Sequence, residues 1–149
     1  MKKSVEAVID DFINDNFTLH PKAISETANK KIRSGDVILT YSYSKLVEKV
    51  LLDAVAAGKR IKVIVADGRV QSLGAKLAPN LVKAGVHTTY ILLTAVSQVI
   101  RLLQGSIASL SSYQVLPSVT KVLLGCDGVM ANGCVLATVG TSQVSSQQS

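Results

Sequence analysis

Four residues stand where a small anion can be held: Ser42, Ser44, Arg69 and Asp127. Each comes just after a short apolar run. Tyr41-Ser42-Tyr43-Ser44 closes the run 36–41, Asp67-Gly68-Arg69 closes 61–66, and Cys126-Asp127-Gly128 closes 121–125, with Thr94 after 87–93. Two hydroxyls beside the start of a helix offer donors to an anion. A guanidinium grips phosphate or carboxylate with two parallel hydrogen bonds. Asp127 is the only acid after Asp67, and a loop-starting Asp of this kind serves either as a functional carboxylate or as a cap.

Other chemistries find little support. No Gly-x-Gly-x-x-Gly follows the first apolar run, and neither Gly-Lys-Ser nor Gly-Lys-Thr occurs, so nucleotide-binding loops of those types are not expected. No Gly-x-Ser-x-Gly elbow is present. His20 precedes Pro21 in an expected turn, and His87 opens a strand after a helix-ending Gly; both read as structural. Cys126 and Cys134 lie eight residues apart with no nearby histidine, which fits no zinc spacing. Buried free thiols in a reducing compartment are the expectation. No cofactor and no metal is called for.

The positioning elements follow from hydrophobic period. Val5, Val8, Ile9, Phe12 and Ile13 repeat at three and four, as on one helix face, and a second helical stretch runs through Ala23, Ile24, Ala28 and Ile32. Ser34-Gly35 closes it. The period then changes. Runs 36–41 and 61–66 are almost wholly apolar, as strands buried on both faces must be. Between them Ser44 can cap a helix whose inner stripe is Leu46, Val47, Val50, Leu51, Ala54 and Val55, before Gly58. A helix over 73–83 contains Pro79, which should kink or shorten it. Residues 87–93 read as a third strand, 97–104 as a helix, 105–112 as a loop, 121–125 as a fourth strand and 133–139 as a fifth. Consecutive strand–helix–strand units imply parallel strands and right-handed crossovers. The fold class is α/β: a Rossmann-like, doubly wound, mostly parallel sheet with a helical N-terminal segment. Ligands of such sheets bind at the carboxyl ends of the strands, where the four polar residues lie.

Composition bounds the partners. With 149 residues the chain has room for one core. Its net charge of +6 is mixed with acids, as in Lys45–Glu48–Lys49–Asp53, and it has two Phe, four Tyr and no Trp. A stacking platform for single strands would be thin, so nucleic acid is not an expected partner. From Thr88 to Ser149 the only charged side chains are Arg101, Lys121 and Asp127. A half-chain so poor in charge belongs in a core, in a subunit interface, or in both. No run approaches a membrane span of about 20 apolar residues, and the N-terminus lacks the apolar stretch of a signal peptide. A cytoplasmic protein is expected.

The motifs, taken in order, resemble one family. Ile32-Arg33-Ser34-Gly35-Asp36-Val37-Ile38-Leu39-Thr40-Tyr41 is similar to the first-strand segment of the regulatory (alpha, beta and delta) subunits of translation initiation factor 2B, most of all the delta branch. Val63-Ile64-Val65-Ala66-Asp67-Gly68-Arg69 resembles the second-strand motif, which usually reads Asp-Ser-Arg-Pro and has Val70 here in place of the proline. The run Leu116-Pro117-Ser118-Val119-Thr120-Lys121-Val122-Leu123-Leu124-Gly125, then Ala131-Asn132-Gly133 and Val139-Gly140-Thr141, continues the likeness. It covers residues 24–143.

The same superfamily contains methylthioribose-1-phosphate and ribose-1,5-bisphosphate isomerases. By this resemblance Ser42 replaces their catalytic cysteine, Asp127 matches their catalytic aspartate, Arg69 matches a phosphate-binding arginine, and Ala137-Thr138 replaces a substrate-contacting Asn-Lys pair. A serine is a far poorer acid–base partner than a low-pKa thiol. The resemblance therefore implies a delta-like regulatory subunit of the guanine-nucleotide exchange factor for initiation factor 2, without catalysis of its own. The alternative is a sugar-phosphate-binding or isomerase-like protein. Implied partners are the beta, alpha, gamma and epsilon subunits and initiation factor 2, with a homo-oligomer possible in isolation and no membrane. The expected organisation is a helical segment over 1–34, an α/β domain over 35–141 with a loop insert near 100–114, and a disordered polar tail over 142–149. The family pattern continues past the point matching Ser149 with a helix and two strands, so the sheet is expected to be truncated, with an open edge.

Overall fold

The run Val37–Tyr41 forms β1, buried at all five residues, and the remaining elements assemble around it. The computed structural model describes residues 19–69, 72–96 and 119–146, together with residues 5, 7–9 and 12. In chain order the elements are α1 (His20–Lys31), β1, α2 (Lys45–Ala56), β2 (Lys62–Asp67), α3 (Gly74–Lys83), β3 (His87–Leu92), β4 (Lys121–Val122), β5 (Gly128–Val129), β6 (Val135–Leu136) and α4 (Thr141–Ser145). The sheet order is β3-β2-β1-β4, and every pairing in it is parallel. The chain winds outward from β1 to β3 and then returns to lay β4 on the other side of β1. That reversal is the switch point of an open α/β sheet, and it puts the ends of β1 and β4 side by side. The expected Rossmann-like architecture is what the described residues form.

Period-two alternation assigns the sheet's faces. Ile38, Val63 and Val65 point to one side, where Val47, Val50, Leu51 and Ala54 of α2 and Leu77 and Leu81 of α3 cover them. The α2 stripe recurs at three and four residues, as a helix lying on a sheet requires. Val37, Leu39, Tyr41, Ile64 and Ala66 point to the other side, against Val96 and Val144. α1 packs on α2, and Lys59 Nζ ties its end by donating to the carbonyls of Asn29 and Ile32.

Both α2 and α3 stop the same way. Gly58 and Gly85 each take φ of +79°. Gly85 N–H donates to Val82 O at 2.9 Å while Val86 N–H donates to Leu81 O at 3.0 Å, and Gly58 and Lys59 repeat the pair on Val55 and Ala54. This pair of hydrogen bonds needs a left-handed residue, which favours glycine. Gly85→Ala, with open space for its methyl, should cost about 1 kcal/mol from backbone conformation alone. A urea titration with unchanged m-value checks this.

Several local expectations are corrected. Pro79 does not shorten α3, which runs unbroken over Gly74–Lys83; Ala75, whose carbonyl loses its partner, is exposed and can turn to water. His20 opens α1, with Pro21 in its first turn, instead of lying in a turn; proline is pre-set for that position. Residues 133–139 do not add a fifth strand to the sheet. Val135 and Leu136 pair antiparallel with Val129 and Gly128 in a separate hairpin, closed by Gly133 at φ +81° and by Met130 N–H on Cys134 O at 2.8 Å. The cysteines flank and cap that hairpin, so both are exposed free thiols, not buried ones. The tail over 142–149 is helical at Thr141–Ser145, because Val144 is fully buried against the sheet. Val5, Val8, Ile9 and Phe12 are helical and more than half exposed. Ile13, the expected helix over 97–104 and the insert near 100–114 lie outside the described residues.

β4 is held to β1 by a polar clip. Thr120 Oγ1 accepts from Val37 N–H at 3.0 Å and donates to Asp36 Oδ1 at 3.0 Å, and Thr120 N–H donates to Val37 O at 2.9 Å. Asp36 also pairs with Lys121 at 2.7 Å and accepts from the Arg33 amide at 2.7 Å. Burial pushes its carboxyl up, but the hydrogen bonds from Lys121, Arg33 and Thr120 and the Lys121 charge outweigh it and hold it below the usual range.

Candidate functional site

Ser42 ends β1 in an unusual posture. It is only 6% exposed and has φ of +59°, rare for a residue with a Cβ. Its N–H donates to Ala66 O at 2.9 Å, which draws the loop onto the end of β2. Its hydroxyl has no hydrogen-bond partner among the described residues. It lines a cavity of about 420 Å³ at the strand ends with Arg69, Thr138 and Gln143, between the apolar walls of Tyr41 and Leu93. Arg69 is exposed and carries no ion pair among the described residues. A guanidinium, hydroxyls and an amide share this space with the Asp67 carboxylate, and the first three are groups that can hold a small anion.

Ser44 and Asp127 stand elsewhere. With Tyr43, Lys45, Cys126 and Thr141 they line a second cavity of about 270 Å³. Tyr41 and Thr138 belong to the walls of both cavities. Ser44 holds the N-cap position of α2, yet its hydroxyl makes no capping bond. Gly125, at the end of the β4 segment, lies against it so closely that a Cβ there would come within 2.8 Å of Ser44 Oγ. Asp127 is exposed, and its N–H opens the hairpin by donating to Leu136 O at 2.8 Å. Its carboxylate has no partner among the described residues, so it does not cap. Thr94 lies in a short helical segment over 93–96 and lines neither cavity.

The residues that shape the first cavity escaped the sequence reading. Asp67 is 2% exposed and accepts three hydrogen bonds, from Gly68 N–H at 2.8 Å, Gly74 N–H at 2.7 Å and Tyr90 Oη at 3.0 Å. It ties the end of β2, the start of α3 and β3 into one corner, and so sets where Arg69 stands. A Cβ on Gly74 would come within 2.9 Å of its Oδ2, so α3 begins against the carboxylate itself. Burial, then the hydrogen bond to Asp67 and its charge, push the Tyr90 phenol up. Burial and the charge of Asp67 do the same to Tyr41. An acid at the end of an apolar strand, seven residues before a Gly, was the available signal.

A larger cavity, about 920 Å³, lies between α1 and α2, away from the strand ends. Half of its charged side chains are committed, namely Lys49, Asp53 and Lys59. Asp53 accepts from Ser25 at 2.6 Å and pairs with Lys49 at 3.2 Å, and the Ser25 hydrogen bond holds its carboxyl low against the opposing effect of burial, with help from Lys49. This is a joint between helices. Among the described residues, no cluster of His, Cys, Asp and Glu is arranged to hold a metal ion, and no helix is long and apolar enough to cross a membrane.

Comparison with known proteins places this geometry. The profile of the Initiation factor 2 subunit family matches residues 1–147. Over 137 residues the chain is 32% identical to the translation initiation factor eIF2B subunit delta of Schizosaccharomyces pombe, covering 92% of this chain and 26% of that protein. It is 31% identical over 121 residues to the ribose 1,5-bisphosphate isomerase of Pyrococcus furiosus, covering 81% of this chain and 32% of that one. A chain in the crystal structure of the tetrameric eIF2B-beta2-delta2 complex from C. thermophilum superposes with a TM-score of 0.82 at 31% identity, over 98% of this chain and 42% of that one. The chain thus spans about a quarter of the curated delta relative.

Proposed function

Because the chain belongs to the initiation factor 2 subunit family, we propose that it is a delta-like regulatory subunit of the guanine-nucleotide exchange factor for initiation factor 2. It acts in the cytoplasm by assembling with the other subunits and sensing the substrate, with no catalysis of its own. The observation that carries this reading is the close superposition on a chain of a beta–delta tetramer at 31% identity. The charge-poor stretch from Thr88 to Ser149 agrees with it, since obligate interfaces are depleted in charge. So does the apolar surface exposed on the hairpin at Val129, Val135 and Leu136. We read residues 1–34 as the helical segment and the α/β unit as starting at 35, with Val144 extending it past 141.

Within that unit, the Ser42–Arg69 cavity serves as an anion compartment. An isomerase reading is the weaker one. Ser42 stands where the resemblance puts the catalytic cysteine, and Asp127 lines a different cavity. The test uses immobilised cognate beta subunit and a parallel assay with ribose 1,5-bisphosphate. Retention of the chain with no aldose–ketose conversion supports the regulatory reading. Conversion that is lost in Asp127→Asn would replace it with the enzymatic one.

A further inference from the structure

We infer that residues 138–146 form a detachable strap, which undocks from the sheet as a unit and so gates both strand-end cavities while the sheet stays folded. The segment runs from Thr138 through α4 to Ser146. Thr138, Val139, Gly140 and Gln143 make one wall of the first cavity, and Thr138 and Thr141 make part of the second. The facing walls belong to the ends of β1 and β2, to Leu93 after β3, and to residues 125–127 after β4. Moving the strap away therefore opens both cavities. The device does not depend on what either cavity holds.

Three contacts fasten the strap. Val144 is its one buried residue, seated in the apolar cluster of Val37, Leu39, Tyr41, Ile64 and Ala66. Tyr41 Oη donates to Val139 O at 2.7 Å, and among the described residues this is the one hydrogen bond from the segment to the rest of the chain. The others run inside it. The amides of Thr141, Gln143 and Val144 donate to the carbonyls of Thr138 and Gly140, and the hydroxyls of Thr141, Ser145 and Ser146 donate to carbonyls three residues back. The third contact is steric. Gly140 takes φ of +104°, and a Cβ there would overlap Tyr41 Oη and come within 2.9 Å of Leu93 Cδ2, so the backbone lies directly on the phenol. One valine, one hydrogen bond and one close contact have to offset the conformational entropy of ordering residues 138–146. A helix of five residues has no stability of its own, so release of the strap is also the unfolding of α4. The sheet survives that release. Every pairing of β1 to β4 lies outside the segment, and the core beneath α2 and α3 takes nothing from it. A segment held in this way opens locally, well below the free energy of global unfolding.

Hydrogen exchange tests the strap on the unsubstituted chain. The amides of Gln143 and Val144 should exchange at least about 100-fold faster, relative to their intrinsic rates, than those of Val63 and Val65 in β2. Equal protection would overturn the strap. Thiol labelling with a fluorescein maleimide then tests the gate, in Cys126→Ser/Cys134→Ser protein, which lacks the two exposed thiols. Each variant's own urea titration gives the labelling rate that global unfolding alone permits. The Val144→Cys thiol should label at least about 100-fold faster than that limit. A Val50→Cys thiol, on α2 at a position 2% exposed, should label at the limit. The Ser42→Cys thiol, in the first cavity, should follow Val144→Cys. Tyr41→Phe removes the phenol's hydrogen bond and should speed labelling of both by about threefold to tenfold, with Val50→Cys still at its limit. Gly140→Ala should strip protection from both thiols while circular dichroism shows the sheet folded. A Gly140→Ala chain that unfolds, or that folds with Val144→Cys still protected, would show strap and sheet to be one unit. Free labelling of Ser42→Cys while Val144→Cys stays protected would overturn the gate.

Discussion

Asp67→Ala should lower stability by about 3 kcal/mol, since it leaves the buried Gly74 amide, the half-buried Gly68 amide and a phenol without an acceptor. The substitution strikes the corner where β2, α3 and β3 meet, and Asp67 is only 2% exposed there. Asp67→Asn keeps one acceptor oxygen and should lose about 1–2 kcal/mol. Urea unfolding with unchanged slope gives the numbers. The corner also sets where Arg69 stands, so phosphate binding should weaken in Asp67→Asn even where the protein is fully folded. A loss below about 1 kcal/mol in Asp67→Ala would mean that the three donors find other partners.

The second large effect is at Asp36. Asp36→Ala removes the acceptor of Thr120, the Arg33 amide and Lys121 together, and leaves Lys121 facing a half-buried gap. Breaking a buried pair from one side costs about 3–5 kcal/mol. The low end applies here, because the Lys121 side chain stays 33% exposed. The pH dependence follows from the sign of the shift. The folded carboxyl lies below its unfolded value, so its contribution is complete above the usual carboxylate range and is lost as the pH falls below about 4. Asp36→Asn should flatten that part of the stability profile, as thermal melts from pH 7 down to pH 3 would show. An unchanged acid slope in Asp36→Asn would assign it to other carboxylates.

The central sheet was legible because its residues have only one way to be buried. Val37–Tyr41 and Lys62–Asp67 are near-continuous apolar runs, and α2 repeats its apolar positions at three and four, so type and order follow from period alone. The hairpin was misread for a different reason. Ala131-Asn132-Gly133 is a turn signal, and two-residue strands on either side of it carry too little period to show which sheet they join. The helix of the tail hides in Ser- and Gln-rich sequence, where the single residue Val144 decides the packing.

At the site, the strand-end rule brought Ser42, Ser44, Arg69 and Asp127 to the same edge of the sheet. It could not divide them. Tyr41 and Thr138 line both cavities, and Tyr41 Oη donates to Val139 O, between residues 98 apart in the chain. Tyr41 read as the last apolar residue of a strand, and nothing in its neighbours marks it as a wall. The role of Asp67 was hidden similarly, since two of its three donors come from α3 and β3.

Assembly is the central claim, and native mass tests it most directly. Light scattering on the purified chain, alone and mixed with its cognate beta regulatory subunit, should show the chain shifting into a stable mixed complex. A well-folded homo-oligomer whose mass does not change when beta is added would contradict the account.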